Sequence, residues 1–250
     1  MAANGFQLID ENISTSNILE RLTSVASTQY NKNDALYLSA SGAVGLASQV
    51  AATSKCTHVY VSMFTAVPNL RPATPNLSTT IGEQILAVPA AGNNLYFRSF
   101  LTISGSTPTI NGTAANANST ANLVLVTFAG STGDFTGGQV YIPSLQQQAT
   151  ILTDVVSGGV HTFTVYPAFS RAVTTGDTVV AVPWSKGATG VKFNASTPSQ
   201  GVSTAVADKS GGNINIQQVV LGSILPTAAG VFTAGTNTQP YVVVSFPTIP

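Results

Sequence analysis

Four short runs typical of β-strands follow one another between residues 139 and 182, one of them alternating between apolar and polar residues and another almost wholly apolar. They are Gln139–Ile142, Ala149–Val156, Val160–Tyr166 and Thr178–Val182. Turn signals lie at Gly137-Gly138, Gly158-Gly159 and Gly176-Asp177. A period of two puts successive side chains on opposite faces of a strand. Strands this short, spaced this regularly, predict an all-β fold made of small β-barrel or β-sandwich units.

The N-terminal segment, residues 1–32, has a different pattern. The stretch "NILERLTSV" places Ile18, Leu19, Leu22 and Val25 at helical spacing, with Asn17 as an N-cap and Glu20 three residues later. It predicts a short helix from Asn17 to Val25. This helix either lies on the β domain or forms an arm that docks on a neighbouring subunit.

The rest of the chain divides by composition. Residues 33–107 form a first β unit: "NDALYLSASGAVGLASQV" indicates two strands around Ser41-Gly42, and "EQILAVPAAGNNLYFRSFLTI" indicates a strand pair joined through Gly92 to Asn94. Residues 108–122 are small and polar and indicate a loop or linker. Residues 123–190 form a second β unit. Residues 191–250, including the apolar run Tyr241–Phe246, either complete the first unit or form an oligomer interface.

Charge is scarce in this chain. Nine basic and nine acidic residues make up 7% of 250 residues, against about 25% in an ordinary domain. Hydrophobic residues make up 44%, so the chain should fold. Its surface must then consist of small polar and apolar residues, which protect poorly against association. We therefore expect a homo-oligomer or a larger assembly.

The same numbers exclude several classes of partner. Nine scattered cations and zero net charge argue against nucleic-acid binding, which needs a basic patch. No run of 18 apolar residues is present, so no membrane-spanning helix is expected. The N-terminus shows no classical signal peptide, and the single Cys56 forms no intrachain disulfide. These features together predict synthesis in the cytoplasm.

Residues able to carry chemistry are few. Cys56 and His58 lie two apart on a predicted strand, but a zinc site needs three or four ligands. The acidic residues are dispersed, and only Asp10 and Glu11 are adjacent. We interpret His161 as a residue at the start of a strand, Arg171 as a loop cation and Asp177 as a turn former. The sequence thus predicts no catalytic residue, no metal site and no cofactor, and a protein that is not an enzyme.

Aromatic side chains support one alternative. Tyr96, Trp184 or Tyr241 could stack on a sugar, which would suit a carbohydrate-binding or receptor-binding protein. Packing in a β core is the favoured interpretation of Tyr96, Phe97 and Phe100.

The segment from Gly137 to Val182 resembles a small β module of tailed-bacteriophage structural proteins. The resemblance is carried by "GGQVYI", "QQATILTDVV" and "GGVHTFTVYPAFSRAVTTGDTVVAVP". The stretch "NDALYLSASGAVGLASQVAAT" is similar to the short hairpins of phage capsid decoration proteins. The resemblance implies a virion structural protein and carries over no catalytic residue.

From this resemblance we expect a capsid decoration, or cement, protein on the surface of the phage head. Its partners would be the major capsid protein and further copies of itself, with a homotrimer favoured because it suits local threefold positions of an icosahedral shell. The chain would be made in the host cytoplasm and located on the capsid. The alternatives are a tail, neck or head-fibre component, and the carbohydrate- or receptor-binding virion protein introduced above.

Overall fold

A computed structural model describes residues 5–9, 18–24, 28–47, 56–63, 76–79, 84–101, 111–114, 120–128, 133–194, 201–222 and 240–247. The fold is nearly all β, as predicted. It contains a closed five-stranded barrel, a closed six-stranded barrel, a four-stranded sheet and a two-stranded ribbon.

The described strands are numbered in chain order. They are β1 (Phe6–Leu8), β2 (Glu20–Ser24), β3 (Thr28–Asn31), β4 (Ala35–Leu38), β5 (Ala43–Leu46), β6 (His58–Met63), β7 (Asn76–Thr79), β8 (Gln84–Pro89), β9 (Phe97–Phe100), β10 (Asn111–Ala114), β11 (Leu123–Thr127), β12 (Gln139–Ile142), β13 (Gln147–Ser157), β14 (Val160–Tyr166), β15 (Thr178–Val182), β16 (Asn215–Val220) and β17 (Tyr241–Ser245). A 3-10 turn spans Val206–Asp208.

The six-stranded barrel, here called the second barrel, has the strand order β10-β11-β14-β13-β12-β15 and is antiparallel throughout. The predicted limits of β12, β14 and β15 are confirmed, and β13 is longer than predicted. Gly158 and Gly159 join β13 to β14 with φ of 57° and 80°. Two successive positive φ angles are the geometry of a tight hairpin turn, which glycine adopts without steric cost.

The five-stranded barrel, here called the first barrel, has the order β2-β5-β4-β6-β8. The hairpin predicted around Ser41-Gly42 is confirmed, because β4 and β5 pair antiparallel and Gly42 has φ of 79°. Five fully buried side chains fill the interior: Tyr30, Leu36, Val44, Ile85 and Ala87. The Tyr30 hydroxyl donates a hydrogen bond to the carbonyl of Val44, so the one polar atom of this buried side chain has a partner.

The pairing predicted between the strands on either side of Gly92 to Asn94 is wrong. Both strands exist, as β8 and β9, but they do not pair with each other. β8 closes the first barrel between β2 and β6, whereas β9 lies in the four-stranded sheet between β1 and β17. A local turn signal specifies a reversal of the chain, and long-range contacts then decide which strands become neighbours.

The helix predicted from Asn17 to Val25 is wrong over Glu20–Ser24, which form β2. β2 pairs antiparallel with β8 and parallel with β5, and Leu22 packs against the first-barrel core. Closing the barrel supplies hydrogen bonds on both sides of this strand, and that outweighs a weak helical spacing. Asn17 and Val25 themselves lie outside the described residues.

Segments predicted as peripheral carry strands of the fold. Within 1–32, β1 pairs with β9, and Phe6 is fully buried. Within 108–122, predicted as a loop or linker, β10 pairs with β11 and β15 and closes the second barrel. The sequence "NGTA" has little intrinsic strand preference, so its two neighbouring strands impose this conformation. Residues 191–250 supply β16 and β17, which pair with each other, and β17 also pairs with β9.

One hydrophobic cluster joins the two barrels and the four-stranded sheet. It contains Val59 of the first barrel, Val182 of the second barrel and Val244 of the four-stranded sheet. The Gln148 side chain strengthens the junction, donating to the carbonyl of Val219 at 3.3 Å and accepting from the backbone N–H of Leu221 at 3.2 Å.

Candidate functional site

The second barrel encloses a histidine–aspartate pair. His161 Nδ1 lies 2.9 Å from Asp154 Oδ2 and 3.1 Å from Oδ1, and both side chains are fully buried. The imidazole meets the rings of Phe128 and Phe135 edge-on, with centroids 5.7 and 5.3 Å away. The pair therefore sits in an aromatic environment that no solvent reaches.

A β-bulge aims Asp154 inward. The register between β13 and β14 shifts between Ile151 and Thr153, so that Asp154 lies opposite the buried Phe163. Asp154 Oδ2 also accepts the backbone N–H of Phe135 at 3.0 Å, and its own N–H donates to Thr136 Oγ1 at 3.1 Å. The pair thus fastens the segment before β12 to the hairpin, and its geometry is that of a structural clamp.

His161 does not meet Asp177. Asp177 instead organises the turn before β15: its Oδ2 accepts the backbone N–H and hydroxyl of Thr174 at 3.0 and 2.8 Å, and Arg171 Nη1 lies 3.5 Å away. Burial raises the pKa of the Asp177 carboxyl, but the hydrogen bonds from Thr174 and Ser144 and the charge of Arg171 together lower the pKa below its ordinary value. The structure confirms a strand before Pro167 that ends at Tyr166, and a turn at Gly176 with φ of 90°.

Cys56 and His58 do not converge on a shared ligand position. The thiol of Cys56 is buried and donates to the carbonyl of His58, and burial raises its pKa. His58 bonds Thr57 Oγ1 through Nδ1 at 2.8 Å and Glu20 through Nε2 at 3.0 Å. Among the residues that the structure describes, no group of three or more His, Cys, Asp or Glu side chains could hold a metal ion.

The aromatic residues considered for sugar stacking are placed differently from one another. Trp184 is buried, and its indole N–H donates to the carbonyl of Ser203 at 2.8 Å, so it cannot stack on a ligand from solvent. The Arg98 guanidinium lies 5.8 Å from the centroid of Tyr241 and 5.2 Å from that of Phe100. Tyr96 is 48% exposed. Of the three residues, Tyr96 alone offers a largely open ring.

The described surface includes a recess near the four-stranded sheet and another beside the second barrel. One of about 510 Å³ lies between β1, β6, β8 and β9, is mostly apolar, and has Lys32 as its ionisable side chain. The other, of about 420 Å³, is lined by Lys186 and Lys209 beside the Gly137 turn. The Lys209 ammonium group donates a hydrogen bond to the carbonyl of Thr136 at 3.1 Å, so one of its N–H groups is already bound by the protein.

The solvent side of the second barrel has an unusual surface. Cross-strand partners share a face of a sheet, and the register puts Thr162 with Leu125 and Val155, and Thr164 with Leu123 and Thr153. Tyr166 pairs with Thr150, and Leu152 is the bulge residue beside them. We call this set the outer face: Leu123, Leu125, Thr150, Leu152, Thr153, Val155, Thr162, Thr164 and Tyr166. It contains no charged residue.

Sequence reasoning missed the buried pair and the outer face. The signal for the pair was the Gly158-Gly159 turn, since a two-residue loop places His161 diagonally across the hairpin from Asp154. The signal for the outer face was the alternation itself, combined with the absence of any lysine or arginine between Arg98 and Arg171. The bulge that turns Asp154 inward leaves no comparable mark in the sequence.

Comparisons of the chain with protein-family models, with curated proteins and with solved structures found no match. No helix in the described part of the chain is both long enough and apolar enough to cross a membrane.

Proposed function

We propose that this chain is a structural protein of a bacteriophage virion that binds the outside of the head as a capsid decoration protein. The observation that carries the proposal is the uncharged outer face of the second barrel. No cation occurs between Arg98 and Arg171, and the outer face presents threonine, leucine, valine and tyrosine. A surface of this kind suits contacts with a repeated, neutral protein lattice.

The resemblance to phage structural modules supports the same proposal. The residues that carry it, 137–182, form strands β12 to β15 of the second barrel. These four strands close into a barrel together with β10 and β11. The proposed partners are the major capsid protein and further copies of the chain, as a trimer at local threefold positions, and the proposed location is the capsid surface.

The experiment is quantitative mass spectrometry of purified phage particles. The expected result is that the chain is present in many copies, in a simple ratio to the major capsid protein. Purified chain added to particles that lack it should then bind until that ratio is reached. Absence from particles, together with no binding to them, would contradict the proposal.

A tail, neck or head-fibre location is the alternative within the virion. Electron cryo-microscopy of the same particles distinguishes the two locations. Density repeated over the shell supports decoration of the head, and density at the tail or neck supports the alternative instead. For a carbohydrate-binding role, the exposed ring of Tyr96 is the favourable observation. A glycan array compared between the wild type and Tyr96→Ser tests that role, and Trp184 takes no part in it because it is buried.

A further inference from the structure

We propose that the recess of about 510 Å³ between the first barrel and the four-stranded sheet binds an amphiphilic carboxylate, with the apolar chain of the ligand inside the recess and its carboxylate on Lys32. A medium-chain fatty acid is the simplest member of this class. The inference goes beyond the proposed function, because it concerns a small molecule and a different part of the chain from the outer face.

The lining of the recess is the first observation. Strands of the four-stranded sheet form one side, and strands of the first barrel form the other. The apolar lining residues are Phe6, Leu8, Val59, Val61, Val88 and Phe97. Phe6 and Phe97 are fully buried, whereas Leu8 and Val61 are half-buried, so the last two are the apolar side chains most open to a ligand. A recess of this volume, lined by apolar side chains at the junction of two structural units, is typical of small-molecule sites.

The polar part of the lining identifies the charge of the ligand. It consists of Gln7, Lys32 and Asn33, of which Lys32 carries a positive charge and is exposed. Within the described part of the chain, no carboxylate forms an ion pair with Lys32. Its ammonium group can therefore bind an anion without giving up such a pair. One cation beside an apolar lining favours a ligand with an apolar chain and a single negative charge.

The turn that carries Lys32 is fixed by hydrogen bonds on both sides. Asp34 Oδ2 accepts the backbone N–H of Asn31 at 2.7 Å, and the carbonyl of Asn33 accepts the backbone N–H of Phe6 at 2.8 Å. The second bond joins this turn to β1, which lines the recess. The backbone at Lys32 is thus already in place, and the lysine side chain is what a ligand must order on binding.

Isothermal titration calorimetry of the full chain with octanoate, decanoate and dodecanoate tests the proposal, with each acid kept below the concentration at which it forms micelles. Affinity should rise by up to about fourfold for each added methylene until the recess is full, because each methylene leaves water for an apolar lining. Decylammonium has a chain of the same length and a positive head group. It should bind about tenfold more weakly than decanoate, because Lys32 repels it.

Two substitutions locate the binding site. Lys32→Gln should weaken decanoate binding about fivefold, a modest loss that reflects an ion pair in contact with solvent, and it should not weaken decylammonium binding. Lys186→Gln is the matched control: it removes an exposed lysine that lines the other recess, and it should bind decanoate like the wild type. Val61→Trp should weaken the binding of all three acids, because the larger side chain occupies the recess.

Three results would overturn the proposal: no binding of any of the three acids, equal affinity for decanoate and decylammonium, or equal losses in Lys32→Gln and Lys186→Gln. The comparison of the two lysine variants changes exposed side chains, so it remains decisive even where Val61→Trp fails to fold. None of these outcomes depends on whether the chain binds phage particles, so this inference and the proposed function fail separately.

Discussion

The Asn213 side chain hydrogen-bonds the backbone of Cys56 much as a neighbouring strand would. Its Oδ1 accepts the backbone N–H of Cys56 at 3.1 Å, and its Nδ2 donates to the carbonyl of Cys56 at 3.2 Å. Both groups are buried, so one amide side chain satisfies a donor and an acceptor that water cannot reach. This contact ties residues 157 positions apart.

Asn213→Ala should therefore lower the free energy of unfolding by about 2–3 kcal/mol, because it leaves two buried backbone groups unpaired. Urea unfolding followed by circular dichroism measures the change. Asn93→Ala is the matched control: its amide also bonds backbone carbonyls, but it is exposed, and its loss should cost less than about 0.5 kcal/mol. Equal losses in the two variants would contradict this account.

The lowered pKa of Asp177 predicts that the stability of the fold depends on pH. Its pKa is lowered in the folded state, so its carboxylate stabilises the fold fully above the unfolded value of about 3.9. That contribution is lost as the pH falls through the lower folded value. Asp177→Asn should thus be less stable than the wild type at neutral pH, and the gap should narrow as the pH falls below the unfolded value. Urea midpoints at several pH values measure the gap, and a gap that stays constant would show that the charge contributes nothing.

At the scale of elements, the hairpin of β13 and β14 combines a buried interior with the uncharged outer face. The bulge at Leu152 separates these roles, because it sends Asp154 inward and leaves Leu152 exposed. The same hairpin therefore fastens the segment before β12 through Asp154 and presents the apolar surface outside.

Asp154→Leu should destabilise the fold by about 3 kcal/mol or more, since His161 and the N–H of Phe135 lose a buried acceptor. The double variant Asp154→Leu/His161→Leu should recover most of this loss, because two apolar side chains suit the surrounding phenylalanine rings. A double-mutant cycle from urea unfolding measures the coupling. Strictly additive losses would mean that the two side chains act independently.

Strand limits were predictable where two local signals agreed. β12, β14 and β15 combine residues that favour strands with a preceding glycine turn, and their ends fall where the sequence places them. β2 and β10 have weaker local signals, and they are strands because barrel neighbours pair with both of their edges. The choice of β17 rather than β8 as partner for β9 is likewise a long-range decision.

Over the whole molecule, the two barrels and the four-stranded sheet share a core. Tyr141 of β12 packs directly against Gly222, just after β16, and a Cβ at Gly222 would overlap the tyrosine ring. The second barrel therefore docks closely on the C-terminal segment, and we expect a single cooperative unfolding transition.

Gly222→Ala should lower the melting temperature by several degrees, because overpacking at a tight contact costs about 1–3 kcal/mol. The same change made on top of Tyr141→Val should cost much less, since the smaller side chain leaves room for the methyl group. Differential scanning calorimetry of the four proteins measures both effects. An equal cost in both backgrounds would mean that Gly222 is required for another reason.

The sequence by itself determined the β class, the hairpin at Gly158-Gly159 and the scarcity of charge, because alternation, glycine turns and composition are local properties of the chain. The tertiary structure decided which strands close each barrel, that Asp154 faces His161, and that the exposed apolar side chains share one face. Those outcomes depend on register and on contacts between residues distant in sequence, where barrel closure and burial outweigh local preference.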